Sequence, residues 1–541
     1  MCPGEILHPQ RALISVYDKT GIVDFARALH EYGVEILSSD GTAAALTDED
    51  IPVTEVRDYT GVAEMFSGRV KTLHPRIHGG ILARRPVQVR TGHRLDDATG
   101  DIAEMEKHDI PPIDLVCVNL YPFGEVVSRP DATLHDALEN IDIGGPTLIR
   151  AAAKNFPCVC VVTDPSQYHP LLMAWRQYTG IPRFVRESFA RAAFHYTAVY
   201  DAAIARYFRS LPPSDSEEDL IMERILPARL PLALTKVKDL RYGENPHQRA
   251  AYYKLDAGLG DYISDSEIIQ GKEIGYNNLL DIDAVVRICR EFPGKICAAV
   301  VKHQNPTGVA IAETPEEAYR KARAVDEMAA FGNVTGISAP VDEACAKAIV
   351  EALLHVVVAP DFTPDAREVL RKKKNLILVK TDLILPLDLT GRLEGRALMH
   401  GVLIQEIDTA LWDDDRFVVA SKRKPTDEQM QAMELAWRVV KHVRSNSTVL
   451  ATPTQTVGTG PGQTARVDTF RIAIEKAGER AKGAVAATDG FCFPDSIELA
   501  HAHGVTAVIE PGGGLQDKNT IAKADELDMV LVMTGMRHFK H

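Results

Sequence analysis

The chain lacks any uncharged apolar run of the ~18–20 residues that would span a bilayer, and Met1 to Arg11 contains no apolar core of the secretory type. These absences predict a soluble protein with no signal peptide and no membrane segment. Cysteine is sparse, with eight residues at positions 2, 117, 158, 160, 289, 297, 345 and 492. Only Cys158 and Cys160 are close, and a C-x-C without a second pair or nearby histidines is a poor metal signature. The pattern fits buried small residues in a reducing cytoplasm rather than a disulfide framework. Basic charge is also short, at 61 Lys and Arg against 75 Asp and Glu, a net of −14. That argues against nucleic-acid binding, which needs broad basic surface. There is no low-complexity tract, no short-period repeat and no G-x-x-x-x-G-K-[ST] phosphate loop.

One stretch runs against the acidic background. Phe66 to Arg90 holds six Lys and Arg and no Asp or Glu. It includes Arg69-Val-Lys-Thr-Leu-His-Pro75, whose charged donors, hydroxyl and imidazole suit a phosphate or a developing oxyanion. Charge alone fits a solvated surface run equally well.

At 541 residues, the chain is long enough for three or four domains of about 150 residues. The first ~200 residues alternate strand, polar turn and helix. Arg11–Tyr17, Val34–Leu37, Asp114–Leu120 and Val159–Thr163 read as strands, and Ile22–Tyr32 as a helix. This pattern predicts a parallel α/β sheet with ligands at the carboxyl ends of its strands. A long helix, about 183–209, precedes a proline- and acid-rich linker at 210–219. The expected organisation is a domain at 1–209, that linker, and a region at 220–541 built of two α/β halves, about 220–380 and 381–541.

The turns after the first two strands offer Ser15, Asp18, Lys19 and Thr20, then Ser39, Gly41 and Thr42. Hydroxyls, a lysine and helix N-terminal N–H groups make a phosphate cradle, although Ser and Thr also cap helices. Asn119-Leu-Tyr-Pro-Phe123 ends a strand, and Asn140-Ile-Asp-Ile-Gly-Gly-Pro146 is a glycine turn that leads into Arg150 and Lys154, which share a helix face.

Together, I-S-V-Y-D-K-T-G, G-R-V-K-T-L-H-P-R-I-H-G-G, N-L-Y-P-F, I-D-I-G-G and R-A-A-A-K-N resemble the inosine monophosphate (IMP) cyclohydrolase domain of the bifunctional purine-biosynthesis family. The resemblance implies a methylglyoxal-synthase-like fold that closes the formylated ribotide FAICAR to IMP with loss of water. It implies catalytic Lys71, Tyr121, Asp142 and Lys154. Lys71 and the N–H groups of Ile143 and Gly144 would stabilise the oxyanion, Asp142 with Lys154 would move protons, and Tyr121 would orient the carboxamide. Nucleotide contacts are expected at Ser15, Asp18, Lys19, Thr20, Ser39, Gly41, Thr42, Arg69, Thr72, Asn119, Ile143 and Gly144.

Further on, Leu240-Arg-Tyr-Gly-Glu-Asn-Pro-His-Gln248 surrounds a glycine turn, and Val300-Val-Lys-His-Gln-Asn-Pro-Thr-Gly308 places Lys302 and His303 at a strand end. A cation beside an imidazole favours its neutral form, as a general base requires. With Y-N-N, A-F-G, R-S-N-S, G-P-G-Q-T-A-R-V-D and the closing R-H-F-K-H, these strings resemble the transformylase region of the same family. The fold is then expected to be cytidine-deaminase-like, in two α/β halves. The lack of P-C-x-x-C predicts no catalytic metal. The resemblance implies 10-formyltetrahydrofolate as donor and the aminoimidazole carboxamide ribotide AICAR as acceptor, with His303 deprotonating the amine and Lys302 assisting. AICAR contacts are expected at Arg241, Tyr242, Asn278, Phe331, Gly332, Asn446, Arg466, Phe491 and Arg537, and folate contacts at Val467, Asp495, Gly512 and Gly513. A cytoplasmic homodimer is implied, with each transformylase site drawing on two subunits.

The chain departs from the family pattern at Asp40, Ala329, His355 and Asp361, and F-F-P-F is shortened to Phe491-Cys-Phe493. A carboxylate at Asp40 would repel phosphate unless it points away. Two alternatives follow: a cyclohydrolase with an impaired transformylase region, and a nucleotide-sensing module, which would not need the complete Lys71, Tyr121, Asp142, Lys154 set.

Overall fold

A computed structural model describes residues 6–66, 68–85, 98–211, 225–255, 266–329, 331–383, 392–410, 412 and 416–541. Most of the expected linker, and residues 384–390 at the expected junction of the two halves, lie outside the described residues. Contacts divide the chain into two units, Met1–Thr235 with Leu255–Leu259, and Lys236–Lys254 with Gly260–His541.

The first unit is built on a parallel sheet of β1 (Arg11–Val16), β2 (Glu35–Ser38), β3 (Thr54–Glu55), β4 (Leu115–Asn119) and β5 (Cys160–Val162), in the order β3-β2-β1-β4-β5. A parallel sheet covered on both faces needs strands that are apolar throughout. β4 is buried at all five positions. Helices α1 (Ile22–Glu31), α2 (Asp40–Thr47) and α5 (Tyr168–Tyr178) cover one face with Phe25, Leu29, Leu46, Leu171 and Trp175. Helices α3 (Pro75–Leu82), α4 (Gly144–Lys154) and α6 (Arg183–Ser210) cover the other with Ile77, Leu148, Ile149, Ala190 and Ala193. Register pairs Val16 with Asn119 and Ile14 with Ser38, so the ends of β1, β2 and β4 align. The expected spans fit these elements, except that Asp40, Gly41 and Thr42 belong to α2 rather than to a preceding turn.

The second unit contains two six-stranded mixed sheets. The first half comprises β6 (Glu267–Gln270), α7 (Tyr276–Arg290), β7 (Ile296–Lys302), β8 (Asn305–Ala312), α8 (Pro315–Ala324), β9 (Asn333–Ile337), α9 (Glu343–Val350), β10 (Leu354–Ala359), α10 (Pro364–Leu370) and β11 (Ile377–Lys380). The second comprises β12 (Val418–Val419), α11 (Asp427–Val440), β13 (Thr448–Ala451), β14 (Thr456–Gly460), α12 (Arg466–Ala477), β15 (Val485–Thr488), α13 (Pro494–Ala502), β16 (Ala507–Glu510), α14 (Asp517–Glu526) and β17 (Val530–Met533). The sheet orders, β6-β11-β10-β9-β7-β8 and β12-β17-β16-β15-β13-β14, are one topology used twice. Side chains of α7 and α11, among them Val285, Cys289, Met433 and Trp437, share one core with both sheets. The remaining helices cover the outer faces, so the unit is layered α/β/α/β/α. Edges β8 and β14 meet where the Val309 N–H donates to Thr456 Oγ1 at 3.0 Å. The seven described cysteines are free and buried.

Candidate active sites

In the first unit the aligned ends of β1, β2 and β4 carry the expected cradle. Asn119, at the end of β4, spends its amide on the neighbouring loop. Its Oδ1 accepts from the N–H groups of Tyr17 (2.6 Å) and Asp18 (2.9 Å), and its Nδ2 donates to the Asp18 carbonyl at 2.9 Å. Thr42 Oγ1 both donates to the carbonyl and accepts from the N–H of Val16, at 3.1 Å each. These two predicted contact residues therefore hold the loop rather than offer free groups to a ligand. Ser39 stands at the N-cap of α2 without a side-chain capping bond, and Lys19 Nζ lies 3.9 Å from where a Gly41 Cβ would stand. Lys19 thus bridges the two turns. The Thr20 hydroxyl and N–H lower the Asp18 carboxyl below its ordinary range.

The cationic stretch is mostly neutralised by carboxylates from other elements. Arg76 pairs with Asp109 at 2.9 Å, Arg84 with Asp101 at 3.0 Å, and Arg85 with Asp114. Arg69 is exposed and donates to the Phe66 carbonyl at 3.2 Å. Lys71 pairs with Asp40. Burial opposes the Lys71 charge, but the hydrogen bond and field of Asp40 outweigh it and raise the ammonium pKa. Asp40 therefore points into the site, and it adopts φ 45°, a left-handed conformation natural to glycine.

Asp142 precedes α4. Burial raises its carboxyl above the usual range, against the Gly145 N–H (2.8 Å), the charge of Lys71 and the Tyr121 N–H. A Cβ on Gly144 would stand 2.8 Å from Thr72 Oγ1, and one on Gly145 would stand 2.5 Å from Leu120 Cδ2. Glycine here lets the start of α4 close on the site. Tyr121, half exposed, meets Tyr17 edge to face at 5.6 Å.

The structure thus gathers Lys71, Tyr121, Asp142, Thr72 and the N-terminus of α4. It does not bring Lys154 to them. Ten residues of helix put Lys154 about 15 Å along the axis from Gly144, at the far end of α4. Lys154 is exposed there, and its partnership with Asp142 rests on the resemblance in sequence. Two residues absent from the sequence reading support the site from α6. The Tyr200 hydroxyl accepts from the Asp142 N–H at 2.9 Å and donates to the Asn140 carbonyl at 3.0 Å, and the Tyr196 hydroxyl accepts from the Leu120 N–H at 3.0 Å. The signal was the i, i+4 spacing of the two tyrosines.

In the second unit, β7 ends in a tight hairpin whose tip residues, His303 and Gln304, have φ 53° and 63°. The Gln304 N–H donates to Asp281 Oδ1 at 2.7 Å, and Lys302 Nζ donates to the Phe331 carbonyl at 3.0 Å. Because β7 runs antiparallel to β9, its end adjoins the start of β9, bringing Phe331 and Gly332 to Lys302. His355 lies beside them, with Cε1 3.3 Å from where a Gly332 Cβ would stand. Burial first, then Lys272 and Lys302, lowers the His355 pKa, so its imidazole is neutral at neutral pH. Asp361 follows the opposite end of the six-residue β10, about 20 Å away, and pairs there with Lys380 (3.1 Å) and Arg367 (3.2 Å). That departure lies off the Lys302–His303 end of the sheet. Asn278 Oδ1 accepts from the Gly275 N–H at 3.2 Å as a helix cap. Arg241 and Tyr242 are exposed, with the guanidinium 5.7 Å from the tyrosine ring centre.

In the second half the expected residues gather at the start of β13 and the carboxyl ends of β15 and β16. Arg466 is buried, and its guanidinium is taken up by Asp489 (2.5 Å), Thr488 (2.6 Å), the Ser447 carbonyl (2.9 Å) and Asn446 Oδ1 (2.9 Å). It shapes the site from beneath. Phe491 lies 3.1 Å from where a Gly514 Cβ would stand. In the shortened segment the Cys492 N–H donates to Glu510 Oε2 at 2.7 Å, and burial pushes Glu510 up to about 7. Gly512 and Gly513 have φ 70° and 89°, and the Gly513 N–H donates to Asp517 Oδ2 at 2.7 Å. Val467 is the second residue of α12, Asp495 is exposed at the start of α13, and the Arg537 guanidinium lies 4.3 Å from the Phe539 ring centre. No group of three or more His, Cys, Asp or Glu that could hold a metal occurs among the described residues.

Residues 152–476 match the family model described as AICARFT/IMPCHase bienzyme, and residues 21–147 match that of the MGS-like domain. The bifunctional purine biosynthesis protein PurH of a Cyanothece species is 45% identical over 98% of this chain and 100% of its own. That of Sorangium cellulosum is 46% identical, and that of Halalkalibacterium halodurans 44%, each over 98% of this chain and 100% of its own.

Proposed function

The chain belongs to the AICARFT/IMPCHase bienzyme family, and from that premise we propose how its residues divide two consecutive reactions. The protein transfers a formyl group from 10-formyltetrahydrofolate to the 5-amino group of AICAR, then cyclises the product FAICAR to IMP with loss of water. The first unit closes the ring, and the second transfers the formyl group.

In ring closure, the carboxamide nitrogen attacks the formyl carbon. A new N–C bond forms, and the formyl oxygen takes up negative charge. Lys71 and the N–H groups at the start of α4 stabilise that oxygen. Asp142, with its raised pKa, exchanges a proton with the nitrogen and the departing water. Tyr121 orients the carboxamide. Lys19, Ser39 and the N-terminus of α2 hold the phosphate. Asp40 competes for Lys71 and must yield as the oxyanion develops.

In formyl transfer, the amine lone pair is delocalised into the ring and carboxamide, so attack needs a base. His303 takes the amine proton, and Lys302 assists beside it. The single observation that carries this reading is the hairpin, which presents His303 at a strand end beside Lys302, Phe331, Gly332 and His355. The reading extends to a cytoplasmic homodimer with two-subunit transformylase sites. No described helix is long and apolar enough to cross a membrane.

Purified protein given AICAR and 10-formyltetrahydrofolate should consume the donor and form IMP, each followed separately. Donor consumption without IMP would place ring closure elsewhere, and IMP formation only from supplied FAICAR would restore the impaired-transformylase alternative.

A further inference from the structure

The chain ends in Arg537-His-Phe-Lys-His541, of which the reading above uses only Arg537. Gly535, at φ 68°, turns the chain after β17, and the segment then runs without regular structure along residues 442–446. The Ser445 N–H donates to the Lys540 carbonyl at 3.0 Å, and the Lys540 N–H donates to Ser445 Oγ at 2.9 Å. Lys540 Nζ donates to the His442 carbonyl at 3.1 Å. The His538 N–H donates to the Asp489 carbonyl at 3.3 Å, and its ring lies 2.6 Å from Asp408 Oδ2. A free chain end would not make five such bonds.

The bonds continue from Ser445 to the transfer site. The Arg444 N–H donates to Asn305 Oδ1 at 3.1 Å, and Arg444 Nη2 donates to Gln304 Oε1 at 3.4 Å. Asn305 Nδ2 in turn donates to the His303 carbonyl at 3.0 Å. The tip of that hairpin holds two left-handed residues other than glycine, a conformation that persists only where its surroundings enforce it. Arg444 and Asn305 are part of that enforcement. On the other side of Ser445, Asn446 accepts from Arg466.

Lys540 occupies a costly place. Burial first, then Arg287 and Arg444, lowers its ammonium to about 8, while Asp283 and Glu394 pull the other way. A lysine kept there against desolvation is an anchor rather than a solvated tail.

We propose that Lys540 is a positioning residue for formyl transfer: its ammonium holds the His442 carbonyl while its backbone pairs with Ser445, and the 442–445 segment so fixed holds, through Arg444 and Asn305, the hairpin that carries His303. The proposal rests on the reading of His303 as the base of formyl transfer.

A double-mutant cycle on the full chain tests it. Lys540→Met keeps the apolar stem and the backbone bonds to Ser445 but removes the donor that holds the His442 carbonyl and with it the segment bearing Arg444, and Asn305→Ala cuts the link from Arg444 to the hairpin. Each single change should lower kcat for formyl transfer about tenfold, as expected for one lost buried hydrogen bond, with the AICAR KM within about twofold. The double variant should lose no more than about tenfold, because both changes break one connection. A loss of about a hundredfold, the product of two independent changes, would overturn the proposal, as would full transfer in Lys540→Met. Should Lys540→Met fail to fold, Ser445→Ala takes its place in the cycle, with the same non-additivity expected. Full transfer by His303→Ala would instead remove the reading of the base. Loss in His303→Ala together with an additive cycle would remove only the anchor.

Discussion

Each candidate site sets a lysine at the end of a strand or loop, and the two lysines are neutralised differently. Lys71 faces the carboxylate of Asp40, whereas Lys302 donates to a backbone carbonyl, that of Phe331. The first arrangement stores the cation in an ion pair that substrate must displace. The second sets the lysine against a carbonyl dipole, where, after burial and Lys272, its field helps lower the His355 pKa. The difference suits the proposed ring closure, which calls on the cation only as the oxyanion develops.

The sharpest way to break this comparison is to remove each centre in turn. His303→Ala should cut formyl transfer by roughly 10²–10⁴ while ring closure from FAICAR continues. Lys71→Ala should cut ring closure by roughly 10²–10³ while transfer continues. A loss that crossed from one reaction to the other would show that the sites are not separate in function.

The buried carboxylates give a second contrast. Asp142 in the first unit is raised by burial. For Glu291 in the second, burial also acts upward, but the bond and charge of His442, then the charge of Lys441 at 3.0 Å, outweigh it and bring the carboxyl down to about 2. A depressed carboxyl stabilises the fold above its unfolded pKa of about 4.5 and loses that stability as pH falls toward 2. The contribution is roughly 3 kcal/mol. Glu291→Gln should flatten the fall in unfolding temperature between about pH 4.5 and 2, followed by calorimetry. An unchanged acid profile would contradict this.

Releasing Lys71 sharpens the comparison from the other side. Asp40→Gly should speed ring closure by a few-fold, about 1 kcal/mol for a part-exposed pair. Glycine also suits the φ of 45° there. Because Asp40 raises the Lys71 pKa, the alkaline limb of the ring-closure pH profile should move down in the variant. A slower variant with an unmoved limb would mean that Asp40 assists catalysis. The smallest effect is expected from Tyr200→Phe, which removes one bond to the Asp142 backbone. Ring closure should fall only several-fold, about 1 kcal/mol, and transfer should not change.

Much of the first unit was legible because its sheet is parallel, with apolar strands, polar turns and ligand groups at the strand ends. The glycine turn before α4 could be read directly, since Gly144 and Gly145 leave no room for a Cβ. The Asp40–Lys71 pair was hidden because its partners are 31 residues apart and belong to different elements. Asn119 and Arg466 look like ligand contacts in sequence, yet their polar atoms are taken by neighbours that only the fold supplies. The duplicated topology of the second unit was invisible because its halves share a strand order rather than residues. For example, β7 reads I-C-A-A-V-V-K and β13 reads T-V-L-A.

The most direct test of two sites serving consecutive reactions mixes two inactive variants. His303→Ala alone and Lys71→Ala alone should each fail to convert AICAR and 10-formyltetrahydrofolate into IMP. Mixed, they should form IMP, since one makes FAICAR and the other closes it. No IMP from the mixture, with both proteins folded, would contradict the division of labour.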